Sequence, residues 1–238
     1  MRDNPNAEAV AIAMASVALD TPHISLLGTT ALLLEAPGTL GLEPQQRIWA
    51  LALALQNEPW VREAVPGMNN LKLMLDQPPP TAAALHGFQQ RLVDAWLSTV
   101  PLAREGRVVE LPVVYGGEGG PHLADVVLHT GLSIDEVVAL HSAPLYPVYA
   151  LGSHPGYCYL GGMDARIATP RRAVPIINLP GGSVSIGGVQ TGVSASAGPS
   201  GWNTIGRTAM QFFHPELDPP VVLHPGDMIR FRVEKILP

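Results

Sequence analysis

Arg171, Gln190, His154, Cys158 and Tyr159 are side chains whose types could do chemistry, and all lie between Gly152 and Gly206, a stretch holding twelve of the chain's 24 glycines. Glycine reaches φ > 0 without steric penalty and lets a ligand or a second chain come close to the backbone. A flexible linker would be poor in β-branched residues, yet Val184, Ile186, Val189, Val193 and Ile205 sit among these glycines. The stretch therefore reads as a built surface, with Asp164 and Trp202 placed between its glycine clusters.

Gln190 lies in Gly187-Gly188-Val189-Gln190-Thr191-Gly192. Its amide can both donate and accept a hydrogen bond. It either ties down its own loop or recognises a small polar amide or carboxylate. Arg171 and Arg172 follow Thr169-Pro170, and Arg207 follows Ile205-Gly206. A planar guanidinium suits bidentate capture of a carboxylate or phosphate, the alternative for Arg171 being an ion pair to Asp164 or another acid. His154-Pro155-Gly156-Tyr157-Cys158 invites a Cys–His reading. A nucleophilic thiolate needs a positioned base and a lowered pKa, and closeness in sequence supplies neither, so a buried inert thiol is the expectation.

No metal site is expected. His122, His129 and His141 are scattered, two helical turns separating the first pair by about 10 Å of rise, and no Cys-x-x-Cys or His-x-x-x-His spacing occurs. A phosphate loop of the Gly-x-x-x-x-Gly-Lys-Thr or Gly-x-Gly-x-x-Gly kind after a strand is also absent from the sequence.

These residues need elements to hold them. Ala31–Glu35 reads as a buried strand, and residues 42–56 as a helix with Ile48, Leu51, Ala52 and Leu55 on one stripe. Val61–Val65 and Leu71–Leu75 read as a strand pair across the turn at 66–70. Thr81 caps a helix carrying Leu85, Phe88, Leu92 and Trp96. Val109, Leu111, Val113 and Tyr115 alternate as in a strand. The order βαββαβ predicts a small sheet with helices on one face, an α+β domain. Leu123–Thr130 should end at Gly131 in a left-handed cap, and Ser133 with Glu136 forms a capping box for a second helix to about His141. Beyond Pro144 come short strands between Gly and Pro turns: 146–151, 174–177, 184–186, 208–213, 221–223 and 228–233. Many short strands imply a closed barrel or a sandwich. The expected division is an extension over 1–20, an α+β domain over 21–105, and a β domain over 106–238 with its helical pair near 122–142.

The 238 residues are 47% hydrophobic and 14% charged, enough for two modest cores. A formal net charge of −6 with only Lys72 and Lys235 as lysines provides no field for nucleic acid or an anionic membrane. The helical pair has the outline of a helix-turn-helix, but no Lys or Arg occurs between Arg107 and Arg166, so DNA binding is excluded as a reading. One cysteine permits a reducing compartment. Ala9–Leu19 is too short to span a bilayer, and Arg2 is offset by Asp3 and Glu8, unlike the start of a signal peptide; a cytoplasmic protein is expected.

Several motifs carry a resemblance: Leu-Gly-Thr-Thr-Ala-Leu-Leu-Leu-Glu at 27–35, Leu-Pro-Val-Val-Tyr-Gly-Gly-Glu at 111–118, His-Thr-Gly-Leu-Ser at 129–133, the Ala-Thr-Pro-Arg ending at Arg171, the glycine loop around Gln190, and His-Pro-Gly-Asp at 224–227. In this order they resemble the KipI or allophanate hydrolase subunit 1 family over most of the chain. The resemblance implies an α+β N-terminal domain followed by an all-β cyclophilin-like barrel. It implies a role as one component of a multi-subunit ATP-dependent 5-oxoprolinase, inactive alone, with the A and C components as partners and a lactam substrate. ATP would be used by the assembled complex, much of it held by another component. Gln190 and Arg171 become the expected catalytic side chains. His154, Tyr159, Gly161, Gly162, Asp164, Gly188, Thr191, Trp202 and Arg207 become the substrate or interface loops. The family usually has Pro-Gly-Phe-Pro-Tyr at the His154 loop, so Cys158 stands where a proline is common, and Tyr157 where a phenylalanine is. Two other implied readings are a KipI-like inhibitor of a sensor histidine kinase and a component of a biotin-dependent carboxyltransferase acting on a urea-like amide.

Overall fold

Alternation of fully buried leucines decides the first unit. In the computed structural model, which describes residues 21–102 and 106–238, Leu32 and Leu34 on one strand and Leu71, Leu73 and Leu75 on its neighbour are all at most 1% exposed, while Leu33, Lys72 and Met74 between them are half-buried. One face of the sheet is thereby committed to helices. The strands are β1 (His23–Leu27), β2 (Ala31–Glu35), β3 (Val61–Pro66) and β4 (Asn70–Leu75), antiparallel throughout in the order β1-β2-β4-β3. Helix α1 (Leu42–Leu55) contributes Ile48, Leu51, Ala52 and Leu55 to the core, and α2 (Ala82–Ser98) contributes Leu92 and Trp96. Thr81 caps α2 by accepting from the Ala84 amide at 3.1 Å. The buried Gln45 of α1 donates to the Gly67 carbonyl at 2.9 Å and accepts from the Asn69 amide at 2.8 Å, fixing the β3–β4 turn.

Two expectations for this unit are corrected. β1 is a strand that the pattern does not announce: an edge strand with Leu26 and Leu27 exposed has no buried alternation to reveal it. The strand at 108–115 belongs to the second unit. The chain divides between residues 103 and 104 into two compact units. The extension over 1–20, with its apolar run Ala9–Leu19, lies outside the described residues.

The second unit is a closed barrel of β5 (Val108–Tyr115), β6 (Tyr146–Leu151), β7 (Cys158–Leu160), β9 (Ser183–Gly187), β10 (Gln190–Val193), β12 (Asn203–Arg207) and β13 (Met228–Ile236) in the order β10-β7-β6-β13-β5-β12-β9. Only β5 and β13 run parallel. Helices α3 (Leu123–Thr130) and α4 (Ile134–Ser142) meet at Gly131, whose φ of 72° is the left-handed cap, and Ser133 and Glu136 complete the capping box. A two-stranded ribbon, β8 (Ile176–Leu179) with β11 (Gly198–Ser200), stands apart from the barrel sheet.

The strand expected at 174–177 begins two residues later and belongs to that ribbon. Residues 208–213 and 221–223 form no strand, sharing only the bridge Phe213↔Val221; Phe212 turns into the barrel core while Phe213 stays half-exposed. The barrel uses β12 instead, just before them. Among the described residues, no helix is long and apolar enough to cross a membrane.

Candidate functional site

The inner and outer faces of β7, β9 and β10 are built differently. Inward, Cys158, Leu160, Val184, Ile186 and Val193 join the core. Outward, the register sets Gln190 opposite Gly187, and Gly192 opposite both Ser185 and Tyr159; directly opposed residues share a face. A Cβ on Gly187 would stand 2.5 Å from the Trp202 ring, and one on Gly192 2.8 Å from the Tyr157 hydroxyl. Only glycine lets these two aromatic rings lie against the strands. Gln190 thus flanks the wall on which Trp202 rests.

Above that wall is a cavity of about 200 Å³. Arg171, His154, Tyr157, Tyr159 and Trp202 line it, with a rim of serines that includes Ser194, Ser196 and Ser200. The aromatic rings are mutually packed: His154–Tyr157 at 5.2 Å, Tyr157–Tyr159 at 4.8 Å and Tyr157–Trp202 at 6.4 Å between centroids, all edge-to-face. The Arg171 guanidinium carbon lies 5.7 Å from the Trp202 centroid, a cation–π arrangement.

The Arg171 loop is laced to its surroundings. Thr169 and Gly188 exchange backbone hydrogen bonds of 3.1 and 2.7 Å, the Arg172 amide donates to the Gly201 carbonyl at 2.7 Å, and the Asn203 side chain donates to the Pro170 carbonyl at 2.8 Å. Arg172 pairs with Asp125 at 3.2 Å. Asp164 is held by Arg166 at 2.6 Å, and this partner keeps its carboxyl down at about 2. Arg171 makes no ion pair with any described residue and lines the cavity.

Burial lowers the His154 pKa, and its Nε2 accepts from the Ser196 amide at 3.3 Å, so the ring is neutral with its proton on Nδ1. Burial raises the Tyr157 hydroxyl most, with Tyr159 and Cys158 adding and Arg171 opposing. The cavity thus offers one fixed positive charge, neutral donors and acceptors, and flat aromatic walls. It suits a small planar molecule with one anionic group.

The expected site residues separate into groups. Arg171, His154, Tyr159 and Trp202 come together at the cavity, and Gln190 and Gly188 lie on the hairpin beside it. Thr191 faces the barrel interior, where its buried hydroxyl meets His141 at 2.9 Å; strict alternation sends it inward once Gln190 faces out. Gly161 packs against the Tyr149 ring, Gly162 makes a turn at φ 86°, and Arg207 lies in a different cleft. Cys158 is 1% exposed on the inner face, and burial pushes its thiol up to about 12, the opposite of an activated nucleophile. Sequence reasoning missed Tyr157, Asn203 and the serine rim. The serine-rich run at 194–200 between glycines was the available signal.

Residues 22–223 match the carboxyltransferase domain, subdomain C and D. The chain is 47% identical to the 5-oxoprolinase B subunit of Escherichia coli, over 88% of this chain and 95% of that protein, and 37% identical to the 5-oxoprolinase B subunit of Haemophilus influenzae, over 90% and 99%. The urea carboxylase of Kluyveromyces lactis superposes with a TM-score of 0.73 at 16% identity, over 91% of this chain and 22% of that enzyme, a likeness of fold alone. The chain belongs to the carboxyltransferase subdomain C and D family, and within it to the group of 5-oxoprolinase B subunits.

Proposed function

We propose that this chain is the B subunit of an ATP-dependent 5-oxoprolinase that converts 5-oxo-L-proline to L-glutamate in the cytoplasm, together with the A and C subunits (PxpA and PxpC). The carrying observation is 47% identity across 95% of the Escherichia coli B subunit. A kinase-inhibitor role and a urea-type carboxyltransferase role have less support, since the urea carboxylase likeness extends to fold only.

The cavity chemistry supports this reading. A five-membered lactam bearing a carboxylate is small, flat and singly anionic, the complement of a space of about 200 Å³ walled by Tyr157, Tyr159 and Trp202 with Arg171 as its cation. The amide is a poor electrophile. Transfer of a phosphoryl group from ATP to the lactam oxygen makes the ring carbon reactive; one water adds to that carbon and the C–N bond breaks, the nitrogen taking a proton, which leaves an acyl phosphate; a second water then displaces phosphate and gives the carboxylate. Arg171 holds the substrate carboxylate, while the Gln190 amide and exposed backbone N–H groups stabilise charge developing on the lactam oxygen.

Reconstitution tests the assignment. The isolated chain should release no glutamate from 5-oxoproline and ATP, and addition of PxpA and PxpC should restore release. Glutamate release by the chain alone, or none with both partners present, would overturn it.

A further inference from the structure

Backbone strain and the Arg171 cavity meet at one residue. Ten glycines take a positive φ among the described residues, and two other residues do so, Asn69 at 56° and Ser153 at 63°. A Cβ makes this region costly, so glycine is its favoured occupant and asparagine the next most tolerated. Asn69 also has a structural reason to be where it is, since its side-chain amide donates to the Ala36 carbonyl at 3.2 Å and ties down its turn. Serine lacks the tolerance of asparagine, and the Ser153 hydroxyl bonds no described residue.

Ser153 is held in this conformation from both sides. It lies in the loop joining β6 to β7, where Leu151 is opposite Cys158 and the Gly152 amide donates to the Tyr157 carbonyl at 3.2 Å. Inside that closure the His154 amide donates to the Gly152 carbonyl at 2.7 Å, across Ser153, and the Tyr157 amide donates to the His154 carbonyl at 3.1 Å. A three-residue turn whose central φ is positive is the rare, strained form of the γ-turn. Glycine would make the same turn with less strain, so the fold itself supplies no reason for a side chain here. The cavity supplies one: Ser153 lines it together with His154 and Tyr157 of the same loop, facing a site that also holds Arg171. Strained residues persist where the surrounding structure fixes them and a ligand uses them.

We propose that Ser153 is a substrate-contacting residue whose hydroxyl hydrogen-bonds the amide edge of the bound lactam. The inference rests on the 5-oxoprolinase reading given above. Within that reading Arg171 takes the carboxylate, and Tyr157, Tyr159 and Trp202 cover the faces of the ring. The amide edge is left, and a hydroxyl can both accept from its N–H and donate to its oxygen.

Kinetics of the complex reconstituted with PxpA and PxpC, set beside urea unfolding of the full chain, test this. Ser153→Ala keeps the strained turn and removes the hydroxyl, whereas Ser153→Gly removes both. Each should lower kcat/KM for 5-oxoproline by about tenfold or more and leave KM for ATP at the parent value. Ser153→Ala should unfold with the parent, and Ser153→Gly at a midpoint no lower than the parent's, so that activity is lost without any loss of stability. With the parent complex active, a parental kcat/KM in either variant overturns the inference. So does a Ser153→Gly midpoint below the parent's, which would mean that the turn is unstrained. A parent complex that releases no glutamate overturns the 5-oxoprolinase reading itself, and this inference with it.

Discussion

The two faces of β9 and β10 differ in what fills them. On the inner face every position carries a side chain that packs: Val184, Ile186 and Val193 are fully buried, and Thr191 joins a hydrogen-bonded chain. On the outer face Gly187 and Gly192 carry nothing, and Tyr157 and Trp202 occupy the space they leave. Inward residues specify the barrel. Outward glycines specify where a cavity can be, so stability and recognition reside on alternate residues of the same short strands.

The inner chain can be followed atom by atom. Thr191 donates its hydroxyl proton to the Ser185 carbonyl at 3.1 Å, so it must accept from His141 Nε2–H; the bare Nδ1 then accepts from the Tyr115 hydroxyl at 2.8 Å. Tyr146 donates to the His141 carbonyl at 2.7 Å. Helix α4 is thereby joined to strands β5, β6 and β10 by a fully satisfied buried network. Such a network is costly to interrupt.

The largest effects are expected on the outer face. Arg171→Ala and Gln190→Ala should each reduce activity of the assembled complex by about 10²–10³-fold, with melting temperatures close to the parent, because neither truncation opens a core cavity. If both variants melt well below the parent and keep normal activity per folded molecule, the outer face is structural and the contrast between the faces fails. Failure of Arg171→Ala to bind PxpC, with Gln190→Ala bound but inactive, would instead assign Arg171 to an interface.

An inner-face change should have the reverse signature. Thr191→Val strands the His141 Nε2–H in the core and should cost about 1–3 kcal/mol of stability in denaturant unfolding, with activity per folded molecule near the parent's. Gly187→Ala sharpens the same contrast from outside: the added methyl displaces Trp202, and activity should drop by about tenfold with a smaller change in stability. Loss of stability without loss of activity in Gly187→Ala would show that the ring merely covers the strand.

Much of this was legible beforehand, and the legible parts share a physical cause. The capping box at Ser133, the cap at Gly131 and the leucine alternation at 71–75 are local signals, and the structure honours each. The barrel strands β7, β10 and β12 and the ribbon strand β11 were not announced. Asn203-Thr-Ile-Gly-Arg contains one large aliphatic residue, and a strand buried on both faces lacks the alternation that marks a half-exposed one. For the site, Arg171 and Trp202 were identifiable as residues, but their stacking depends on Gly188, Gly201 and Asn203 bonding to the Arg171 loop, contacts of long sequence separation. That Thr191 turns into the barrel could not be read beforehand, because a glycine loop offered no phase from which to count faces.

The buried imidazole also gives the inner face a pH signature. Burial lowers the His141 pKa to about 3 from an ordinary 6.5, so between these values the unfolded chain binds a proton that the folded chain refuses. Stability from this group is complete above pH 6.5 and declines as pH falls toward 3. Urea midpoints of the parent measured across that window should fall more steeply with acidification than those of His141→Gln, by up to about one proton's worth of slope. Parallel slopes would mean that His141 is not the group responsible.

The smallest effect is expected at Cys158, which sits on the inner face directly behind the outer-face Tyr157 and Tyr159. Its thiol donates to the Gly156 carbonyl at 3.4 Å, a bond that a serine hydroxyl can reproduce, and it is too deeply buried and too weakly acidic to attack a substrate on the far side of the strand. Cys158→Ser should therefore leave activity of the assembled complex near the parent value, with a stability change of about 1 kcal/mol or less from the more polar atom. A loss of about a hundredfold in turnover with the fold intact, roughly 2.7 kcal/mol of transition-state stabilisation, would place the thiol in the chemistry and break the division between an inner face that packs and an outer face that recognises.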